Sequence, residues 1–255
     1  MTGMRVLVTR PTAQAKAMVE LLRKYEFEVQ HLPCLNIVPV EPQSVDGLQC
    51  KQWAMDLDNF DHIIVNSINA GSYWLDLVET YWPQWPAGLR WWVLGEATQA
   101  QLMAAGIEAR RPDAGDTSED LLAELLPHIK HHQKVLIVRG CGGRETLSEV
   151  LVKAGAKVDH AQCYQRKRPD MSPERLLGVN EFAPQVVMLQ SGETLANFDH
   201  LLSHQHWCDK QRTVLVLPSA RVAEQAKILG YRVLLTSGSA SNQAMCDTLL
   251  HKIQK

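Results

Sequence analysis

The segment Asn36-Ile-Val-Pro-Val-Glu-Pro42 decides the fold class of this chain. It has an extended character, but its two prolines exclude it from the centre of a β-sheet because proline has no backbone N–H to donate. A second extended and charged segment, Tyr164-Gln-Arg-Lys-Arg-Pro-Asp170, follows a later predicted strand. Two such segments predict that the chain crosses twice between two domains.

Short apolar runs alternate with amphipathic stretches on both sides of these segments. Near-continuous apolar strands that alternate with helices are typical of parallel sheets covered on both faces. The predicted strands are Arg5–Thr9, Glu28–Leu32, His62–Asn66, Trp91–Leu94, Lys134–Arg139, Lys157–Gln162, Gln185–Gln190, Thr213–Leu217 and Arg232–Thr236. A (β/α)₈ barrel fits this count of units as well, but the two crossings argue against it.

A loose internal repeat supports two domains instead of a barrel. His62-Ile-Ile-Val-Asn-Ser-Ile-Asn-Ala70 resembles Val186-Val-Met-Leu-Gln-Ser-Gly-Glu-Thr194, which puts Ser67 and Ser191 at equivalent places. We therefore predict two flavodoxin-like parallel-sheet α/β domains with a cleft between them. One domain is discontinuous (residues 1–36 and 169–255) and the other is continuous (42–163). Residues 37–41 and 164–168 form the two-stranded connector.

Composition narrows the class of function. The 255 residues are 45% hydrophobic and carry a formal net charge of −2, which argues against nucleic acid or an anionic membrane surface as the main partner. We expect no membrane-spanning segment and no signal peptide. Six scattered cysteines without a CxxC pair are typical of reduced thiols, so the sequence predicts a cytoplasmic protein.

Small polar residues follow several predicted strands, where parallel sheets bind their ligands. Helix N-termini at such places bind carboxylates and phosphates through backbone N–H groups and the helix dipole. The candidates for anion binding are Arg10, Ser67, Asn69, Thr98, Ser118, Arg139, Gly140, Gly142, Arg144, Ser191 and Ser219. Helix capping remains an alternative explanation for each loop taken singly.

The loop from Arg139 to Arg144 (Arg-Gly-Cys-Gly-Gly-Arg) is the richest of these candidates. Its three glycines allow a close approach of the backbone to a ligand, and Arg144 could bind a carboxylate bidentately. The loop is neither a Walker motif nor a GxGxxG motif, so a Rossmann-like nucleotide enzyme is only weakly supported.

Tyr164 is the candidate catalytic residue because its phenol could donate a proton into the cleft. Aromatic packing of the connector is the alternative role.

His200 and His204 have a spacing compatible with a metal, but no acidic or cysteine partner completes a site, so we predict surface histidines and no metal. The tryptophans between Trp53 and Trp92 are predicted to lie in the core of the continuous domain.

The order and spacing of these motifs resemble the uroporphyrinogen-III synthase family over nearly the whole chain. The motifs that carry the resemblance are Val8-Thr-Arg-Pro11, Asn66-Ser-Ile-Asn-Ala70, Val93-Leu-Gly-Glu-Ala-Thr98, Thr117-Ser-Glu-Asp-Leu-Leu122, Val135-Leu-Ile-Val-Arg-Gly-Cys-Gly-Gly-Arg-Glu145, Tyr164 with Arg166, Ser191, Asn197-Phe198 and Ser219-Ala-Arg-Val-Ala-Glu224. Asn66 replaces a threonine that is common in the family.

The resemblance implies two α/β domains joined by a two-stranded connector. It also implies a lyase that closes and dehydrates hydroxymethylbilane, a linear tetrapyrrole with eight carboxylates, to uroporphyrinogen III with inversion of ring D. It implies no metal and no organic cofactor, and it places the family's tyrosine at Tyr164 and its loop hydroxyls at Ser67, Thr98, Ser191 and Ser219. We further expect a monomer and a transient contact with hydroxymethylbilane synthase.

Two rival functions remain compatible with the residues. One is a two-domain protein that binds a small anion without catalysis, and the other is the nucleotide enzyme mentioned above. An assay that separates the type III from the type I isomer of the product distinguishes them from a synthase.

Overall fold

The computed structural model describes residues 3–143 and 145–253, and the chain forms two compact units. One unit is discontinuous and comprises Met1–Asn36 and Lys167–Lys255, and the other comprises Ile37–Arg166. The described residues contain one five-stranded and one six-stranded sheet. The (β/α)₈ barrel is therefore wrong as an alternative, and the α/β class with parallel sheets is confirmed.

The discontinuous unit is a doubly wound parallel sheet. Its strands and helices are β1 (Arg5–Val8), α1 (Thr12–Lys24), β2 (Glu28–His31), α7 (Pro173–Phe182), β9 (Val186–Met188), α8 (Gly192–Leu202), β10 (Val214–Leu217), α9 (Ala220–Ile228), β11 (Val233–Thr236) and α10 (Asn242–Ile253). The spatial order is β11-β10-β9-β1-β2, and the pairs are parallel. The order reverses between β1 and β9, so this is the switch point where such sheets bind ligands.

Both faces of this sheet are covered, which explains its continuous apolar strands. Leu7 and Val187 face a core with Phe198 and Tyr231, whereas Val6 lies in the opposite core. Alternate residues of a strand point to opposite faces, so each strand contributes to two cores.

The continuous unit is also doubly wound, with one additional edge strand. Its strands and helices are β3 (Asn36–Pro39), α2 (Val45–Met55), β4 (His62–Val65), α3 (Ile68–Val78), β5 (Arg90–Val93), α4 (Glu96–Ala104), β6 (Ala109–Arg110), α5 (Ser118–Leu125), β7 (Lys134–Gly140), α6 (Thr146–Lys153) and β8 (Lys157–Lys167), with 3₁₀ turns at Leu57–Asn59 and Leu126–His128. The spatial order is β3-β8-β7-β4-β5-β6. Here the order reverses between β4 and β7.

The proline-containing segment behaves as its composition requires. Its first four residues, Asn36–Pro39, form β3 at the edge of the six-stranded sheet, where the missing N–H of Pro39 costs no central hydrogen bond. Its neighbour β8 is longer than the predicted strand, which ended at Gln162, and continues to Lys167. The register with β7 ends at Tyr164, so among the described residues β3 is the only other strand that neighbours the polar end of β8, which has no apolar pattern of its own.

Three tryptophans of the continuous unit are buried in its core as predicted, whereas Trp53, Trp82 and Trp85 are half-buried and pack against it. Trp74 and Trp91 are buried on one side of the sheet, and Trp92 is buried on the other. The indole N–H of Trp92 donates to Nδ1 of the buried His62 at 3.0 Å. His62 must therefore carry its proton on Nε2, which lies 3.3 Å from Oε1 of Gln133.

The buried His62 makes the stability of the protein sensitive to acid. Burial lowers the pKa of His62 from its ordinary value of 6.5, and burial lowers the pKa of His160 as well. The unfolded chain therefore binds more protons than the folded chain below pH 6.5, so the free energy of unfolding falls as the pH drops through that value. We expect urea midpoints to decrease between pH 7.5 and pH 5, with a shallower decrease in His62→Gln. A His62→Gln variant with the same pH slope as the wild type would contradict this role.

No helix among the described residues is long and apolar enough to cross a membrane.

Candidate functional site

A pocket of about 220 Å³ opens at the switch point of the continuous unit. It lies where β4 and β7 end and where the polar half of β8 passes. Its lining residues are Asn66, Ser67, Leu94, Ser118, Arg139, Gly140, Cys141, Gly142, Gly143, Leu147, Tyr164 and Arg166. Six of the predicted site residues, namely Ser67, Ser118, Arg139, Gly140, Gly142 and Tyr164, are thus brought together.

A bulge in β8 sets the position of Tyr164. Arg139 pairs with Gln162, but the next residue, Gly140, pairs with Tyr164, so Cys163 is the extra residue. Bulges re-aim side chains beside functional sites. Tyr164 is 4% exposed, and its hydroxyl lies 3.4 Å from Oγ of Ser67. The bulge therefore holds a largely buried phenol with its hydroxyl at the first turn of α3.

Packing around the Tyr164 ring leaves it little freedom. A Cβ atom on Gly140 would lie 2.5 Å from Cζ of Tyr164, so only glycine admits the ring here. On another side, the Tyr73 ring lies 6.0 Å from the Tyr164 ring, and the Tyr73 hydroxyl donates to the carbonyl of Ile37 on β3. Both proposed roles of Tyr164, packing and presenting a hydroxyl, are compatible with this geometry.

Arg139 is predicted as an anion ligand, but its guanidinium is engaged inside the protein. Its side chain is 7% exposed, and Nη1 lies 3.1 Å from Oε1 of Glu145. Nη2 donates to the carbonyl of Gly142. The charge at the floor of the pocket is therefore already paired.

The glycine loop also has contacts on its opposite side. The Gly142 N–H donates to Oε1 of Gln162 at 3.2 Å, and the Cys141 N–H donates to the carbonyl of Tyr164 at 2.7 Å. Asp46 accepts from Nε2 of Gln162 at 3.2 Å and from the Cys141 thiol at 3.6 Å. Burial, followed by the Asp46 charge, raises the pKa of the Cys141 thiol. The N–H of Gly142, a predicted ligand contact, and the N–H of its neighbour Cys141 are thus both satisfied internally.

A wider hollow of about 750 Å³ shares Asn66, Ser67 and Leu94 with the pocket. It extends to the start of α4, where Thr98 is buried and Gly95 provides no side-chain cap for the helix. The N-terminal N–H groups of α4 therefore lack a capping side chain. Such groups can bind an anion.

Three predicted residues lie in the discontinuous unit. Arg10 follows β1 and Ser191 follows β9, so these two border the switch point of that unit. The Arg10 guanidinium donates to the carbonyl of Ala240, while its buried Nε has no hydrogen-bond partner among the described residues. Ser191 caps α8 by accepting from the Thr194 N–H, whereas Ser219 occupies the same position before α9 without a capping bond.

The two serines offer a matched test of capping against ligand binding. Ser191 (φ −158°, ψ 164°) and Ser219 (φ −159°, ψ 160°) have the same backbone conformation, but only Ser191 caps its helix. We expect Ser191→Ala to lower the free energy of unfolding by about 1 kcal/mol and Ser219→Ala to leave it nearly unchanged. Urea unfolding of both variants measures the difference, and equal losses would show that the Ser219 hydroxyl also has a structural role.

The remaining predictions have mixed outcomes. Asn69 lies on the first turn of α3 and lines neither the pocket nor the hollow, and Arg144 lies outside the described residues. The site list from the sequence omitted Asn66 and Arg166, which line the pocket. Glu145 and Gln162, which hold the loop, were also not predicted. Glu145 directly follows Arg144 and Gln162 lies two residues before Tyr164, so nearness to predicted residues is the only signal that the sequence offers for them.

The described residues contain no group of three or more histidine, cysteine, aspartate or glutamate side chains that could hold a metal ion. His200 and His204 are exposed, as predicted for surface histidines.

Comparison with known proteins decides the family. The family model described as uroporphyrinogen-III synthase HemD matches residues 16–247. The chain belongs to the uroporphyrinogen-III synthase family. It is 29% identical to the uroporphyrinogen-III synthase of Salmonella typhimurium over 256 residues, which cover 96% of this chain and 100% of that protein. It is 33% identical to the synthase of Proteus mirabilis over 64% of this chain and 80% of that protein.

Solved structures of the synthase family share the fold. The uroporphyrinogen-III synthetase of Helicobacter pylori superposes with a TM-score of 0.63 at 14% identity, over 98% of this chain and 99% of that one. A mutant synthase of Thermus thermophilus gives a TM-score of 0.59 at 14% identity, with the same coverage. The α/β architecture predicted from the sequence is therefore that of known uroporphyrinogen-III synthases.

Proposed function

We propose that this protein is a lyase that closes hydroxymethylbilane to uroporphyrinogen III, with loss of water and inversion of ring D. Membership of the synthase family favours this activity over binding of a small anion without catalysis. The observation that carries the site assignment is the convergence of Ser67, Ser118, Arg166 and the Tyr164 hydroxyl in one pocket at the switch point of a parallel sheet.

In the proposed reaction, the hydroxyl of the hydroxymethyl group on ring A accepts a proton and leaves as water. The pyrrole nitrogen of ring A supplies the electron pair, which gives an electrophilic azafulvene. The substituted carbon of ring D attacks the exocyclic carbon of the azafulvene and forms a spirocyclic pyrrolenine. The bond from that ring D carbon to the methylene shared with ring C then breaks, and the unsubstituted α-carbon of ring D attacks this methylene, which closes the macrocycle with ring D reversed. Loss of a proton then restores the aromatic pyrrole, so the net change is the loss of one water.

Tyr164 is the proposed proton donor for the leaving hydroxyl. Its own hydroxyl lies 3.4 Å from Oγ of Ser67, which can accept or donate and so can keep the phenol oriented. Pyrrole nitrogens provide the electrons, so no protein nucleophile is required. Positioning and proton donation are then the main catalytic contributions.

The size of the pocket limits what it can hold. About 220 Å³ is below the range of roughly 300–1,000 Å³ that accommodates whole drug-sized ligands, so the pocket fits one end of the tetrapyrrole. The adjoining hollow, with its uncapped α4 N-terminus, would take carboxylate arms, and Thr98 and Asn66 would line their path. Arg10, Ser191 and Ser219 are proposed as further carboxylate contacts.

Turnover of hydroxymethylbilane tests the function. The linear substrate closes spontaneously without inversion, so we expect added protein to divert it to uroporphyrinogen III, measured by chromatography of the oxidised porphyrins. Product that remains type I throughout would refute the synthase activity.

We also propose that the protein acts as a monomer in the cytoplasm. All six cysteines are free thiols, which fits a reducing compartment. Because the substrate closes spontaneously, a transient contact with hydroxymethylbilane synthase would shorten its time in solution. Sedimentation of the protein alone and with that enzyme checks both points, and a stable dimer would contradict the first.

A further inference from the structure

We infer that Arg139 and Gln162 are positioning residues that clamp the Gly140–Gly143 loop, with Glu145 and Asp46 as their outer anchors. The inference rests on the proposed function for its effect on substrate, but the clamp itself is a property of the loop. It assigns to Arg139 a role different from the direct carboxylate contact that the sequence suggested.

Gly142 is held at both of its backbone polar groups. Its carbonyl accepts from Nη2 of Arg139, and its N–H donates to Oε1 of Gln162. The two side chains come from neighbouring strands, since Arg139 is on β7 and Gln162 is opposite it on β8. Gly142 is therefore fixed from two directions.

Each clamping side chain is fixed in turn by an acidic residue. Glu145 pairs with Nη1 of Arg139 at 3.1 Å, and Asp46 accepts from Nε2 of Gln162 at 3.2 Å. Glu145, Gln162 and Asp46 line neither the pocket nor the adjoining hollow. We therefore expect these three residues to influence a bound substrate through the loop.

The composition of the loop explains why a clamp is required. Three of its four residues are glycines, and Gly142 (φ +73°) and Gly143 (φ +106°) use backbone conformations that other residues rarely adopt. Glycine loses more conformational freedom on ordering than any other residue. If the protein did not order this glycine wall in advance, substrate binding would have to order it, and the entropy cost would reduce the affinity.

The Gly143 position shows how closely the clamp fits. A Cβ atom there would lie 2.7 Å from Nη2 of Arg139, so the guanidinium occupies the space that a side chain would need. The Arg139 side chain is 7% exposed, and Nη1 and Nη2 of its guanidinium are both engaged. To bind a substrate carboxylate bidentately, Arg139 would have to break its contacts with Glu145 and Gly142.

The Cys141 thiol provides a direct readout of loop order. Cys141 is half-buried, whereas the other five cysteines are buried and serve as internal references. The rate at which N-ethylmaleimide labels Cys141 in the native protein, followed by mass spectrometry of the peptide, reports how often the loop opens.

The test compares Gln162→Leu and Glu145→Gln with a matched control, Glu224→Gln. Glu224 pairs with Lys227 at 2.6 Å on the exposed face of α9, remote in sequence from the loop and outside the pocket lining. We expect Gln162→Leu to label about fivefold faster, because it removes a neutral hydrogen bond. Glu145→Gln should label about twofold to threefold faster, because it weakens a half-exposed ion pair. The control should label at the wild-type rate.

Turnover by the same variants separates positioning from direct contact. We expect KM for hydroxymethylbilane to rise in parallel with labelling while kcat changes little, because binding must then order the loop. Unchanged labelling in both variants would overturn the clamp, whether or not KM changes. If the wild-type protein did not turn over hydroxymethylbilane, the proposed function would be refuted. The labelling rates would still show whether the loop is clamped.

Discussion

Replacing Tyr164 by phenylalanine is expected to lower kcat by about a hundredfold, the lower end of what a positioned acid contributes. The substitution removes only the hydroxyl that lies 3.4 Å from Oγ of Ser67. The ring keeps its place beside Gly140 and Tyr73, so the fold and most of the binding surface are retained. Steady-state kinetics with hydroxymethylbilane, together with thermal unfolding, measure the effect.

Tyr73→Phe is the matched control for this prediction. It removes the hydroxyl of the neighbouring ring, which donates to the carbonyl of Ile37 and does not line the pocket. We expect a small loss of stability and nearly full kcat. If Tyr164→Phe had the same kcat as the wild type, Tyr164 would have only a packing role.

Gly140→Ala is expected to reduce kcat about as much as the loss of the Tyr164 hydroxyl, although no reactive group is removed. The new methyl group would lie 2.5 Å from Cζ of Tyr164 and must displace the ring. Overpacking of this kind costs about 1–3 kcal/mol, so the melting temperature should also fall. Gly178→Ala, on α7 of the discontinuous unit, is the control, because its Cβ would meet only the end of Gln30 at 3.4 Å.

The double variant Gly140→Ala/Tyr164→Phe tests whether the two residues act together. If Gly140 acts through the position of the Tyr164 hydroxyl, the double variant should have about the kcat of Tyr164→Phe alone, because effects of contacting residues are not additive. Losses of kcat that multiply would show that Gly140 affects catalysis by another route.

The fold could be predicted from the sequence because its strongest signals are local. Apolar strands such as Val135–Val138 and the prolines at Pro39 and Pro42 carry information that depends little on distant residues. The extension of β8 to Lys167 could not be predicted, since its polar residues have no apolar pattern and lie beside β3, which is distant in sequence.

Part of the pocket lining could be predicted from the sequence, but the contacts among the lining residues could not. Hydroxyl and glycine residues after strands identify Ser67 and Gly140, because parallel sheets present such loops at one edge. The bulge at Cys163 and the engagement of Arg139 by Glu145 depend on side-chain geometry between strands. The sequence does not distinguish an arginine that is free to bind a ligand from one that is paired inside the protein. The internal role of Arg139 could therefore be seen only in the structure.

Inversion of ring D during closure of the macrocycle is the activity that we propose for this protein. The most direct measurement is the isomer composition of uroporphyrinogen formed from hydroxymethylbilane over a range of enzyme concentrations, including none. We predict only type I product without enzyme and a type III fraction that rises towards completeness as enzyme is added, with Tyr164→Phe requiring a higher concentration. Type I product at every enzyme concentration would contradict the account.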